Sequence, residues 1–172
     1  KGYDATGWSD GFYGVGYDSG SPNALALLGT PSVPTGTSSI FTRATFFLTD
    51  ASEVNNLFLG SDYDDGYAAW INGVEVFRSN EMPQGPLAWN TSATLHESSN
   101  GTAPSYGTLR DISFVIPYLV AGTNILAVGV WNNAASSTDL VVVPKLSMAP
   151  NWTKKGYDAT GWSDGFYGVG YD

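Results

Sequence analysis

The chain has 172 residues, a formal net charge of −9, no cysteine and one histidine. This charge argues against binding nucleic acid or an anionic membrane through a basic face, and the lack of cysteine excludes disulfides, a structural zinc site and a cysteine nucleophile. Aromatic residues (14%) are as frequent as charged ones (13%), and 21 glycines and 9 prolines punctuate β-branched stretches, which predicts an all-β domain.

The first 18 residues of the chain occur again at its end. Residues 1–18 read KGYDATGWSDGFYGVGYD and residues 155–172 are identical, so the two copies are offset by 154 residues. A period of this length is a whole domain, because solenoid repeats run about 20–50 residues. We therefore predict one β-sandwich unit over residues 1–150. Residues 151–172 are then the start of the next repeat or an exchanged edge segment.

The first half of the chain alternates apolar stretches with turn residues. After the edge segment and a proline-containing loop, we predict strands at 40–49, 53–60, 67–71 and 74–77. The aspartate-rich residues 61–66 are expected to form a turn. Asn72-Gly73 between alternating apolar residues is a strong hairpin signal, because a type I′ turn needs positive φ at both positions.

The second half begins with a long polar loop over 78–106, in which one short strand is expected near 88–95. Further strands are predicted at 110–117, 124–132 and 139–147. Pro144 lies inside the last of these and indicates a strand edge or a bulge, because proline has no N–H to donate. Seven or eight strands without helical patterns predict a β-sandwich or jelly roll.

Several landmarks in this order resemble a known family. They are Asp64-Asp65-Gly66 before a strand, the hairpin Asn72-Gly-Val-Glu-Val76, Gly122-Thr-Asn at the start of a late strand, and Ser136-Ser137 before Asp139-Leu140. The pattern resembles a galactose-binding-like jelly-roll module of large secreted bacterial proteins. The resemblance implies the fold and an extracellular or cell-surface location. It leaves three functions open: binding sugars, binding calcium, and spacing other domains.

Asp62, Asp64 and Asp65 are the candidate metal ligands, because three carboxylates within four residues repel one another without a cation. Hard cations such as Ca²⁺ bind several carboxylate and carbonyl oxygens. We expect a structural calcium ion here; the alternative is a solvated turn in which an aspartate caps backbone N–H groups.

The chain is not expected to be an enzyme. It has no nucleophile elbow, no P-loop and no metal-binding histidine pair. Its one histidine, His96, lies in the polar loop, where a solvated side chain is the simplest interpretation. Glycosidase chemistry needs two carboxyls facing each other across the substrate. Asp62, Asp65, Glu75 and Glu81 are candidates, but the hairpin places Glu75 next to a structural turn.

A glycan site would need exposed aromatic faces beside polar groups. Trp89 in the long loop is the expected contact, with Arg78 and Asn80 as hydrogen-bonding partners. Trp70 and Trp131 lie on apolar strands, so they are predicted to be inside the sandwich.

The duplicated segment has three interpretations: a window on a tandem array, polymerisation by strand addition to a neighbour, or a duplication of artificial origin. We expect its aromatic residues to form the inter-unit interface, with one copy packing Trp8 or Trp162 into the sandwich. The interface residues are Tyr3, Trp8, Phe12, Tyr17, Trp152, Tyr157, Trp162, Phe166 and Tyr171.

These observations favour an extracellular structural or adhesive module. Its partners are neighbouring copies of the same unit, which pack head to tail into a fibre, stalk or filament. The alternative function is a carbohydrate-binding module of a larger secreted enzyme, with glycans as partners. Neither nucleic-acid binding nor membrane insertion is expected, since the chain is acidic and has no apolar run of the roughly 18 residues that a span needs.

Overall fold

The chain folds into two facing β-sheets. A computed structural model describes residues 6–29 and 33–150. The strands are β1 (Val15–Asp18), β2 (Ser39–Leu48), β3 (Val54–Asp64), β4 (Gly66–Ile71), β5 (Val74–Arg78), β6 (Arg110–Asp111), β7 (Gly122–Trp131) and β8 (Asp139–Pro150). Short 3-10 helices lie at Leu25–Leu27, Ala51–Glu53 and Ser113–Tyr118. Within the described residues, no helix has the length and apolar character that crossing a membrane requires.

The strand order is that of a jelly roll. One sheet has the order β1-β8-β3-β6 and the other β2-β7-β4-β5, and every pairing is antiparallel. The pairs β1-β8, β2-β7, β3-β6 and β4-β5 are those of one long hairpin ribbon folded over on itself, which is the jelly-roll arrangement. The predicted all-β sandwich is confirmed.

The core lies between the two sheets and follows the two-residue alternation of the strands. β7 contributes Leu126, Val128 and Val130, and β8 contributes Leu140 and Val142 from the opposite sheet. All five are buried. Full burial of such side chains stabilises the folded state by about 1.5–3 kcal/mol each, so this interior is the main source of stability in a chain without disulfides.

The predicted hairpin joins β4 to β5. Asn72 and Gly73 have φ values of 50° and 86°, as a type I′ turn requires. The Asn72 side chain also makes hydrogen bonds outside the turn. Its amide nitrogen donates to Tyr118 O and Asn124 Oδ1, and its oxygen accepts from Ile125 N. The hairpin tip is therefore fixed to β7, its neighbour in the sheet.

Three predicted elements are wrong. Residues 61–64 continue strand β3 instead of forming a turn. The predicted strand at 110–117 is the two-residue β6 followed by a 3-10 helix that contains Pro117; Ile112 N and Ser113 Oγ still bond to the backbone of Leu57. Residues 88–95 contain no strand.

Pro144 lies in β8, which has β3 on one side and β1 on the other. Strand β1 pairs only with residues 139–142, so Pro144 falls beyond its end, where the missing N–H breaks no ladder with β1. This agrees with the prediction of an edge position.

Candidate functional site

An aromatic groove lies on the outer face of the β2-β7-β4-β5 sheet. Its volume is about 540 Å³. In the strand register Phe41 lies opposite Gly129, and Trp70 opposite Ala127, so small residues form the floor and aromatic rings the walls. The lining residues are Trp8, Phe41, Thr42, Arg43, Trp70, Asn72, Gly73, Ile125, Ala127, Val128 and Gly129.

Trp131 packs against two of the groove's aromatic residues, Phe41 and Trp70. Its indole lies over Gly129, where an added Cβ would come 2.5 Å from Trp131 Cη2. Its ring packs edge-to-face on Phe41, with centroids 5.3 Å apart, and near the edge of Trp70 at 6.5 Å. Its Nε1 donates to Ala88 O at 2.7 Å. Trp131 is thus buried under the long loop on the outer face, not between the sheets as predicted.

The residues predicted to contact glycans differ in their exposure and contacts, and that prediction stays a prediction. Trp89 is 68% exposed, as expected, and Asn80 is exposed. Arg78 binds both carboxylate oxygens of Glu75 at 2.8 Å and donates to Pro83 O and Gly85 O. The guanidinium therefore orders the start of the long loop. The hydrogen bond to Glu75 is the main reason that the pKa of Arg78 is raised.

Asp62 holds the long loop against β3. One carboxylate oxygen accepts from Ser99 N at 2.9 Å, and the other accepts from Ser105 N at 2.8 Å and from the Ser99 hydroxyl. The side chain is buried. Three donors satisfy both of its oxygens, so the geometry assigns Asp62 to loop attachment.

Asp65, between β3 and β4, also attaches loop residues. Its two oxygens accept from His96 N at 3.0 Å and Asn133 N at 2.8 Å. His96 also stacks on Tyr63, with ring centroids 4.0 Å apart and planes 5° apart, and its Nδ1 lies 3.0 Å from Tyr63 O. The histidine predicted to be simply solvated is therefore a packed part of the loop attachment.

Asp64 lies in a separate cluster of carboxylates. Carboxylate oxygens of Asp64, Glu97 and Asp139 lie within 4.8 Å of one another. Burial, then the charges of Asp65, Asp139, Glu97 and Asp18, raise the pKa of Asp64 to about 8. Burial also raises the pKa of Glu97. The structure thus separates the three predicted metal ligands, and brings only Asp64 together with further carboxylates. The calcium hypothesis itself stays a prediction.

The first copy of the duplicated segment forms edge strand β1. Tyr17 is buried, donates to Ser137 O at 3.3 Å and accepts from Asn132 Nδ2 at 3.0 Å. Asp18 accepts from the backbone N–H groups of Gly20 and Ala24 at 2.7 and 2.6 Å. The two Tyr17 contacts and the backbone pairing with β8 hold the segment at the sheet edge, and Asp18 orders the loop that follows it.

Two glycines let this segment approach β8 closely. A Cβ on Gly14 would lie 2.6 Å from Val143 Cγ2 and 2.8 Å from Leu27 O, and one on Gly16 would overlap Leu140 O. The edge position beside β8, called here the β1 slot, therefore selects for glycine at these two positions.

The aromatic residues ahead of β1 lie on the surface. Trp8 is 41% exposed and lines the groove, so Trp8 is not the tryptophan packed in the core. Phe12 is exposed. The second copy and Tyr3 lie outside the described residues, as do the other interface residues Trp152, Tyr157, Trp162, Phe166 and Tyr171.

Sequence reasoning missed the groove walls and two of the clustered carboxylates. Phe41 and Arg43 alternate with inward residues on β2, a signal that the outer face carries large side chains. Glu97 and Asp139 are 42 residues apart and come together with Asp64 only through the loop attachment. No local spacing could have identified that cluster.

No protein-family model matches the chain, and no curated protein matches it either. Among solved structures, it is similar to a Streptomyces avermitilis alpha-L-rhamnosidase complexed with L-rhamnose, at 20% identity and a TM-score of 0.41, over 69% of this chain and 10% of that one. It is also similar to a Bacteroides vulgatus beta-glycosidase, at 15% identity and a TM-score of 0.32, over 67% of this chain and 14% of that one. The chain thus spans a small part of those proteins, and the likeness concerns the β-sandwich alone.

Proposed function

We propose that this protein is a non-catalytic, galactose-binding-like module of a secreted protein that binds carbohydrate in the aromatic groove. The observation that carries the proposal is that Phe41 and Trp70, on the two strands that flank β7, both line the groove on the outer face of the sheet. Ala127 and Gly129 of β7 line it as well. Aromatic faces offer the apolar contact that the C–H faces of a sugar ring need, and edge polar groups give orientation.

The size and charge of the groove support this function. Ligand sites typically enclose about 300–1,000 Å³, and 540 Å³ falls in that range, which suits a short oligosaccharide. Arg43 lines the groove and adds a positive charge there. No carboxylate is among its lining residues in the described part of the chain, so the facing carboxyl pair that glycoside hydrolysis needs is not at this place.

Glycan-array screening followed by calorimetry tests the groove. We expect Trp70→Ala and Phe41→Ala each to weaken binding by about tenfold or more, or about 1.4 kcal/mol, with the fold retained by circular dichroism. Phe47→Ala is the matched control, because Phe47 lies on the same strand and is 71% exposed but does not line the groove. It should bind like wild type.

Trp89→Ala separates the groove from the long loop. If Trp89→Ala abolishes binding while Trp70→Ala does not, the site is the loop and the groove assignment is wrong. Failure of the wild-type chain to bind any glycan on a broad array would contradict the carbohydrate function altogether.

The β1 slot favours a second function, assembly of repeat units. Residues 166–172 have the same sequence as residues 12–18, so they carry the equivalents of the two glycines and of the tyrosine with which β1 fills the slot. We infer that the second copy can fill the slot of another copy of the chain. This head-to-tail contact does not close on itself and builds a filament.

A pair of glycine variants tests this assembly. Gly170→Val places a side chain at the position equivalent to Gly16, where the slot has no room. We expect wild type to form larger species as concentration rises, and Gly170→Val to remain monomeric and folded, by light scattering and electron microscopy. Gly16→Val should displace the chain's own β1 from the slot, because the valine side chain does not fit there. The empty slot should then bind the second copy of another chain more readily, which increases assembly. A wild-type chain that is monomeric at every concentration would rule out assembly.

A further inference from the structure

The carboxylates of Asp64, Glu97 and Asp139 converge from three separate parts of the chain. Asp64 ends β3, Asp139 begins β8, and Glu97 lies in the long loop that Asp62 and Asp65 attach to the sandwich. One oxygen of each lies within 4.8 Å of the others. The distance is short enough for a single small ion to contact all three groups.

The burial of Asp64 gives independent support. Its side chain is 2% exposed, and its Oδ1 is buried without a hydrogen-bond partner. An unpartnered buried acceptor is costly, and native proteins rarely keep one without a ligand. The neighbouring Asp62 and Asp65 show the contrast, since backbone N–H groups occupy both oxygens of each.

The surroundings of Asp64 are strongly negative. Burial raises the pKa of Asp64, and nearby negative charges raise it further. These charges belong to Asp65, Asp139, Glu97 and Asp18. All four of these charged groups are carboxylates, and the Arg78 guanidinium is paired with Glu75. Either protons or a cation must reduce this repulsion.

We propose that Asp64, Glu97 and Asp139 bind a divalent calcium-class cation. All three ligands are carboxylate oxygens, which hard cations prefer, and the set contains no nitrogen or sulfur for zinc. Ca²⁺ suits the site better than Mg²⁺, because one ligand is on an exposed loop and calcium accepts irregular geometry with water completing its shell. The ion ties the long loop to β3 and β8.

Thermal unfolding with added metal tests the site. In wild type, Ca²⁺ at up to about 10 mM should raise Tm by about 5 °C or more, and a chelator should reverse the rise. Asp64→Asn should abolish the response and, in chelator at pH 8, should have a higher Tm than wild type, because it removes an uncompensated buried charge. Asp111→Asn removes an exposed carboxylate outside the cluster and should keep the full response.

Glu97→Gln is the second variant, because Glu97 is exposed and its replacement leaves no cavity. It should reduce calcium affinity at least about tenfold by calorimetry. A wild-type chain that gives neither a Tm shift nor heat with Ca²⁺ overturns the proposal. So does a calcium response that survives in both Asp64→Asn and Glu97→Gln. A stronger response to Mg²⁺ than to Ca²⁺ overturns the choice of metal.

Discussion

Asp62, Asp64 and Asp65 lie within four residues but have different contacts, because different groups from the rest of the chain reach them. Asp62 and Asp64 lie two residues apart at the end of β3, on the same face of the strand, and both are buried. Loop N–H groups reach Asp62 and Asp65. Asp64 instead meets Glu97 and Asp139. A buried carboxylate thus becomes a loop anchor or a cation ligand according to which donors reach it.

The raised pKa of Asp64 predicts how stability depends on pH. The pKa is about 8 in the folded protein and 3.8 ordinarily, so between these values the folded state holds a proton that the unfolded state has lost. In chelator, the free energy of unfolding should therefore fall as pH rises from about 4 to 8, by at most about 1.4 kcal/mol per pH unit from this group. The raised pKa of Glu97 acts in the same direction.

Denaturant unfolding at pH 5, 6, 7 and 8 measures this slope. Asp64→Asn should flatten it, because asparagine does not titrate, whereas Asp111→Asn should leave it unchanged in this window. The pKa of Asp111 is lowered by its hydrogen bonds with Ser113, so that group titrates below the window. A wild-type slope that Asp64→Asn does not change would show that Asp64 is ionised in the folded protein without penalty.

At the level of secondary-structure elements, the sequence predicts correctly those hairpins and strands that the conformational preferences and polarity of neighbouring residues determine. The Asn72-Gly73 hairpin follows from the φ values that these two residues tolerate, and β2 and β7 follow from their apolar alternation. The prediction failed where tertiary contacts override local signals. Residues 61–64 contain two aspartates and look like a turn, but loop N–H groups make Asp62 acceptable inside a strand.

The same reasoning explains the missed groove. Trp70 and Trp131 lie on apolar strands, which favours an interior position, yet both face outward. The long loop covers Trp131 through its bond to Ala88 and leaves Trp70 partly open. Which outer-face residue is covered depends on a loop of irregular structure, whose path local patterns do not determine.

At the level of the whole molecule, the described sandwich is complete without the second copy. Its eight strands lie within residues 15–150, and residues 15–18 of the first copy already occupy the edge beside β8. The remaining edge of that sheet is the two-residue β6, too short to recruit another chain. β1 is the other edge strand of this sheet, and its sequence is repeated at residues 169–172. Assembly through the duplicated segment should therefore take place at the β1 position.

Deletion of residues 151–172 tests whether residues 1–150 form the folding unit. The truncated chain should unfold in one cooperative step with Tm within about 2 °C of wild type, because the deletion removes no strand of the described sandwich. It should also keep its calcium response and glycan binding, since both candidate sites lie before residue 151. It should lose concentration-dependent assembly, because it no longer carries the duplicate of β1. A large drop in Tm would instead show that the second copy stabilises its own unit, and would place the domain boundary beyond residue 150.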